Sequence, residues 1–218
     1  MEPLTVAIAH SKGGVGKTTT TIVVGKYLAR DYRVLLKDYD DTRQLSDLVR
    51  SLTGDEDLVT RNLRLANDEV DVIGWRRRAP DVVLIDAEPA RGPRTWQALK
   101  ESEFVLVPAP PEGLAVRAMR QMFETIGLVR EQANPFLTIM GVIPTMYDKR
   151  WPEHRAFLEE MQRECDVAGV RLFTPVARRQ SYLYLSTRGQ DYKPVAQAIA
   201  NAVRDHKRAR QIHEAASA

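Results

Sequence analysis

Cysteine is nearly absent from this 218-residue chain, which has one, Cys165. A lone thiol closes no internal disulfide and cannot supply two ligands of a zinc or iron–sulfur centre, so structural metals and redox clusters are excluded unless subunits share them. Long apolar runs are missing too. No uninterrupted stretch approaches the roughly 18 residues of a membrane span, and Met1-Glu2-Pro3-Leu4 lacks a basic-then-apolar export signal, so a cytoplasmic location is expected. Aromatic residues are few at 7%, but 44% hydrophobic and 28% charged residues suit one sizeable α/β or helical domain with a buried core. A two-domain enzyme is not expected. Acidic charge is scarce at one end: residues 171–218 hold nine basic side chains against Asp191, Asp205 and Glu214, making that end +6 and the first 170 residues −3. A one-ended positive field suits a polyanionic partner, nucleic acid or an acidic membrane surface.

What is present alternates between two patterns. Short runs that are apolar throughout occur at Leu4 to Ala9, Val34 to Leu36, Val82 to Ile85, Phe104 to Val107 and Phe136 to Ile143. Helical patterns follow Gly16, Glu112, Arg155 and Pro194. Strands apolar on both faces, with helices between them, predict right-handed βαβ crossovers. The expected fold is therefore α/β, a doubly wound, mostly parallel sheet with helices on both faces, and residues 1–218 are expected to form a single domain. Val116, Met119, Met122, Phe123, Ile126 and Val129 recur at spacings of three and four and predict one buried helical stripe.

The chemistry concentrates where the first strand meets the first helix. His10-Ser11-Lys12-Gly13-Gly14-Val15-Gly16-Lys17-Thr18-Thr19 departs from the pattern G-x-x-x-x-G-K-[ST] only in having Ser11 where the first glycine belongs. Glycines let backbone N–H groups close around phosphate oxygens, and the following helix offers its positive end. Lys17 is placed to touch the β- and γ-phosphates and the Thr18 hydroxyl to ligate Mg²⁺.

Lys12-Gly13-Gly14-Val15-Gly16-Lys17-Thr18-Thr19, with its early lysine, resembles the deviant Walker A motif of the ParA/MinD ATPases. The resemblance implies ATP and Mg²⁺ as cofactors, a nucleotide-sandwich homodimer, and a Lys12 that reaches the partner subunit's phosphates. Val34-Leu35-Leu36-Lys37-Asp38-Tyr39-Asp40 looks like the second strand and switch I of that family, which assigns Asp40 to positioning the attacking water. Asp41-Thr42 replace the family's Pro-Gln, leaving the switch conformation and the hydrolysis rate open. Val82 to Asp86, followed by Ala87-Glu88-Pro89, matches the Walker B strand and switch II, so Asp86 is implied in the Mg²⁺ shell. Glu88 stands where the family often has proline and is expected to face solvent. Thr145-Met146-Tyr147-Asp148-Lys149-Arg150 resembles the T-M-Y-D-x-R segment of partition ATPases, implying Thr145 and Met146 at the adenine. Thr174-Pro175-Val176-Ala177-Arg178-Arg179-Gln180 matches the segment where proline and arginine recur near the base and the DNA-facing surface.

Because the phosphate loop begins at Lys12, operator reading through a preceding helix-turn-helix domain is not expected, and the chain resembles the small partition ATPases. Membrane docking of the MinD kind is not expected, because Arg204 to Ala218 offers only Ile212 as a large aliphatic residue. Arg178, Arg179, Arg188, Lys193, Arg204, Lys207 and Arg208 are then expected to bind double-stranded DNA non-specifically, and Arg76-Arg77-Arg78 to be solvated. The implied function is a nucleoid-associated ATPase that segregates or positions plasmid or chromosome cargo, with hydrolysis stimulated by a ParB-like centromere-binding adaptor. Two alternatives stay open: positioning of another cargo, and ATP-dependent ligase or amidase chemistry of the same superfamily.

Overall fold

A computed structural model describes residues 2–40, 43–52, 62–66, 79–89, 92–179 and 189–216. Six parallel strands form one sheet: β1 (Leu4–Ile8), β2 (Val34–Tyr39), β3 (Leu63–Ala66), β4 (Val82–Ala87), β5 (Phe104–Ala109) and β6 (Thr138–Pro144). Their spatial order is β3-β2-β4-β1-β5-β6. Registers such as Ile8 beside Asp86 and Asp38 beside Asp86 bring the carboxyl ends of β1, β2 and β4 to one level. The helices are α1 (Lys17–Leu28), α2 (Gln44–Leu52), α3 (Pro93–Lys100), α4 (Gly113–Gln132), α5 (Pro152–Ala168) and α6 (Lys193–Ala216).

Successive strand residues point to opposite faces, and each face has its own core. Val6, Ile8, Leu36 and Leu84 pack with Ile22 and Val24 of α1 and Val195 and Ile199 of α6. Ala7, Val83, Ile85, Val105 and Val107 pack on the other side with Leu99, Met161 and the predicted α4 stripe. In that stripe Val116, Met119, Met122, Ile126 and Val129 are fully buried, and Phe123 is partly so. Helix α1 lies so close to the sheet that a Cβ on Gly25 would stand 3.0 Å from Leu36 Cδ2. Glycine at that position sets the helix-to-sheet distance, and with it the height of the loop leading into α1.

The expected α/β class, doubly wound sheet and five strands are present; three elements were not anticipated. β3, α2 and α3 are short, and their apolar patterns span too few residues to stand out. Helix α5 begins at Pro152 rather than after Arg155, because proline's fixed φ suits the first helical turn. Gly169, in the left-handed region at φ 63, ends it.

Candidate nucleotide site

The loop between β1 and α1 lies at the carboxyl end of a strand flanked on both sides, where open α/β sheets form their binding crevice. Gly14 and Gly16 adopt φ of 72 and 92, a conformation that costs other residues strain. Gly16 precedes α1 with no side-chain cap, and the first turn has no acidic residue. The amino-terminal N–H groups and the positive end of the helix macrodipole therefore present themselves to an anion.

Long-range hydrogen bonds hold this loop in shape. Ala9 N–H donates to the Leu106 carbonyl at 3.0 Å. His10, fully buried, bonds through Nε2 to the Ala115 carbonyl at 3.2 Å and through Nδ1 to Lys12 N–H at 3.0 Å. Burial lowers its pKa to about 4, so the ring is neutral at pH 7, with Nδ1 as the acceptor and Nε2–H as the donor. Ser11 Oγ donates to the Ala118 carbonyl at 3.3 Å, and Thr145 Oγ1 to the Val15 carbonyl at 2.8 Å.

Behind the loop, one buried cation faces several carboxylates. Lys17 is 6% exposed; burial draws its ammonium below the ordinary range, while Asp86 and Asp40 act to raise it. Thr18 Oγ1 donates to Asp86 Oδ2 at 2.7 Å. Asp86 Oδ1 is buried and has no partner among the described residues. Burial pushes the Asp86 carboxyl up to about 7 despite the Thr18 hydrogen bond and the Lys17 charge, and neighbouring Asp38 and Asp40 add to the rise. A buried carboxylate oxygen left unpaired beside a threonine hydroxyl fits a hard divalent cation with oxygen ligands, so the residues present suit Mg²⁺. Asp38 accepts Ser46 N–H at 2.9 Å and Ser46 Oγ–H at 2.8 Å, tying β2 to the first turn of α2, and also accepts Asp40 N–H at 3.1 Å. That network fixes the backbone at buried Asp40.

Lys12, Gly13, Gly14, Val15, Gly16, Lys17, Thr18, Thr19, Asp40 and Asp86 thus gather at one sheet edge. Lys12 Nζ, part-exposed, pairs with Glu112 at 3.4 Å. Thr145 and Met146 are at this edge as well, but they pack on the phosphate loop itself: a Cβ on Gly16 would lie 3.7 Å from each side chain. Pro175 is half-buried in the segment that pairs with β6, where Val176 N–H donates to the Pro144 carbonyl at 2.7 Å. Glu88 differs from its solvent-facing expectation. Its carboxylate lies over Gly92 and accepts Thr95 N–H at 3.4 Å in the first turn of α3, where helix N–H groups lack acceptors within the helix.

Among the described residues, the basic side chains of this region differ in exposure and pairing. Arg178, Lys193, Arg204 and Arg208 are exposed. Arg179 pairs with Asp191 at 3.2 Å, and Lys207 with Asp81 at 2.7 Å while lying over Tyr32. Lys207 therefore ties α6 to the start of β4 instead of facing solvent alone. Asp41, Thr42, Arg188 and Arg76-Arg77-Arg78 lie outside the described residues. The sequence reading missed His10, Asp38 and Glu112. His10 and Asp38 adjoin recognised motifs, but only the folded chain reveals what they bond: Ala115, 105 residues away, for His10 and the first turn of α2 for Asp38.

A family model described as the CobQ/CobB/MinD/ParA nucleotide binding domain matches residues 6–192. The chain is 34% identical over 174 residues to the chromosome-partitioning ATPase Soj of Thermus thermophilus, covering 66% of this chain and 70% of Soj. It is 32% identical over 191 residues to the chromosome partitioning protein ParA of Caulobacter vibrioides, covering 68% and 72%. Among solved structures, cobyrinic acid a,c-diamide synthase from Mycobacterium smegmatis, with bound ATP analogue and magnesium, is similar at TM-score 0.70 and 26% identity, over 91% of this chain and 95% of that one.

Proposed function

This chain belongs to the CobQ/CobB/MinD/ParA nucleotide-binding domain family, with the Soj/ParA ATPases, and from that premise we propose that it is a nucleotide-timed DNA tether. ATP with Mg²⁺ joins two copies, the pair holds double-stranded DNA without reading its sequence, and hydrolysis, stimulated by a ParB-like centromere-binding adaptor, releases it. The cargo is a plasmid or chromosomal partition complex, and the working location is the cytoplasm, at the nucleoid.

The observation that carries this reading is buried Lys17 and buried Asp86, with one Asp86 oxygen unpaired and the other bonded by part-buried Thr18, beside the loop that bears Lys12. Thr18 and Asp86 would hold Mg²⁺, which when bound neutralises phosphate charge. Gly13 to Thr19 wrap the phosphates with backbone N–H groups, and Lys17 places its ammonium against the β- and γ-phosphates. Asp40 orients the attacking water. Thr145, Met146 and Pro175 close the side of the site toward the base. Lys12, released from Glu112, reaches the partner's nucleotide, so the second cation on each γ-phosphate arrives only with assembly.

Joining two copies doubles the basic surface. Two weak electrostatic sites on one rigid body bind with an effective-concentration gain that a single copy lacks. Arg178, Lys193, Arg204 and Arg208 supply exposed charge for phosphates. The ligase or amidase reading has its own support in the likeness to cobyrinic acid a,c-diamide synthase; it requires ATP consumption only with a small carboxylic acid, and indifference to DNA.

Binding to a random-sequence duplex with ATP, a slowly hydrolysed analogue, ADP and no nucleotide, each at two salt concentrations, tests the proposal. Salt-sensitive binding confined to the triphosphate states is expected. Absence of binding in every state defeats the DNA tether and turns attention to acid substrates.

A further inference from the structure

The carboxyl edge of the sheet carries basic side chains that the nucleotide chemistry leaves unused. The segment between β6 and α5 starts against the phosphate loop at Thr145 and then turns outward, exposing Lys149, Arg150 and Trp151, with Arg155 exposed in the first turn of α5. The turn is internally braced. Asp148 N–H donates to His154 Nδ1 at 3.0 Å, Trp151 N–H donates to the Asp148 carbonyl at 3.1 Å, and the Trp151 ring lies 5.0 Å from the buried His154 ring. Arg178 joins the cluster through its N–H, which donates to the Tyr147 carbonyl at 2.9 Å.

Charge bookkeeping within the turn separates the members. Asp148 grips Arg150 with both carboxylate oxygens, the shorter contact being 2.6 Å, and neutralises it. Glu153 adds one exposed negative charge. Lys149, Arg155 and Arg178 have no ion pair among the described residues. A braced backbone loses little loop freedom when phosphates bind, and cations without an ion pair have none to break.

The far end of α6 has the opposite character. Lys207 pairs with Asp81, His206 with Glu103 and Arg210 with Glu2, acids that lie at the starts of β4, β5 and β1. This half of the helix therefore sits at the amino edge, away from the phosphate loop, with much of its charge committed. Two copies joined through their nucleotides bring their carboxyl edges together. The turn after β6 lies two strands from β1, about 10 Å to the side of the loop, so it flanks the joint rather than filling it.

We propose that the DNA surface of the ATP-joined pair extends onto this turn, with Lys149 and Arg155 contacting backbone phosphates beside Arg178. The inference rests on the DNA-tether reading. It is tested by a double variant, Lys149→Gln with Arg155→Gln, against a control of equal charge change on other exposed surface, Lys100→Gln with Arg163→Gln. Binding of a labelled random-sequence duplex is measured across a salt series with the slowly hydrolysed analogue, and light scattering measures the assembled fraction used to normalise it. At low salt the turn variant should bind at least tenfold more weakly. Its plot of log K against log salt should flatten by about 0.9 per lost contact, roughly 1.8 per protomer. The control should match the unaltered protein. If the turn variant retains the unaltered affinity and slope, or falls only as far as the control, the turn is not a DNA surface. If the unaltered protein itself fails to bind in any nucleotide state, the DNA-tether reading fails, and this inference with it.

Discussion

Replacing Thr145 with valine separates two roles for a residue at the nucleotide edge. The side chain keeps its shape but loses the hydroxyl that donates to the Val15 carbonyl at 2.8 Å in a fully buried setting. A lost intramolecular hydrogen bond that strands a buried acceptor costs about 1–2 kcal/mol. Val15 lies inside the phosphate loop, between the two left-handed glycines. The cost therefore falls on the loop conformation that wraps phosphates, and it converts to roughly a 5- to 30-fold weaker Kd. A loop strut should weaken Mg·ATP and Mg·GTP by the same factor, because the loop touches only what the two nucleotides share. A residue that borders adenine should change their ratio. Titration calorimetry with both nucleotides, beside a thermal melt of the free protein, distinguishes the cases. Unchanged ATP affinity with an unchanged Tm would refute the strut argument, and a loss confined to ATP would restore the adenine role.

Four further outcomes are expected. Asp40→Ala should bind ATP and assemble yet hydrolyse little, with normal turnover in a phosphate-release assay removing Asp40 from the water-positioning role. Lys12→Ala should retain nucleotide binding and lose ATP-dependent assembly by light scattering; an intact dimer would sink the assignment in trans. His10 should make the protein acid-sensitive. Its folded pKa, about 4, lies below its ordinary 6.5, so its contribution is complete above pH 6.5 and is lost as pH falls toward 4. His10→Asn, which keeps an acceptor for Lys12 N–H, should flatten that part of a urea-denaturation series, and an unchanged slope would exclude His10 as its source. Gly92→Ala should displace the Glu88 carboxylate and release Thr95 N–H, so its destabilisation and that of Glu88→Ala should overlap in a double-mutant cycle; strict additivity would show that the two do not act together.

The local chain carried much of this protein in plain view. Apolar strands at Leu4, Val34, Val82, Phe104 and Phe136 announced a sheet covered on both faces, because parallel strands between helix layers need apolar residues at every position. Lys12 to Thr19 announced a phosphate loop, because glycine spacing and a following helix are local properties. Family membership followed from the same residues. What no local pattern could supply were contacts across a hundred residues of chain: His10 against Ala115, Lys12 against Glu112, Thr145 against Val15. The same holds for Glu88, whose carboxylate looked solvent-bound until α3 folded beneath it, and for Lys207, counted as a surface cation until Asp81 met it. Backbone periodicity and motif spacing are set by neighbours along the chain, so the layers and the nucleotide loop were legible from local pattern. The pairing of each charge and the bracing of each loop depend on which distant elements the sheet order brings together, and these emerge only once the chain is folded.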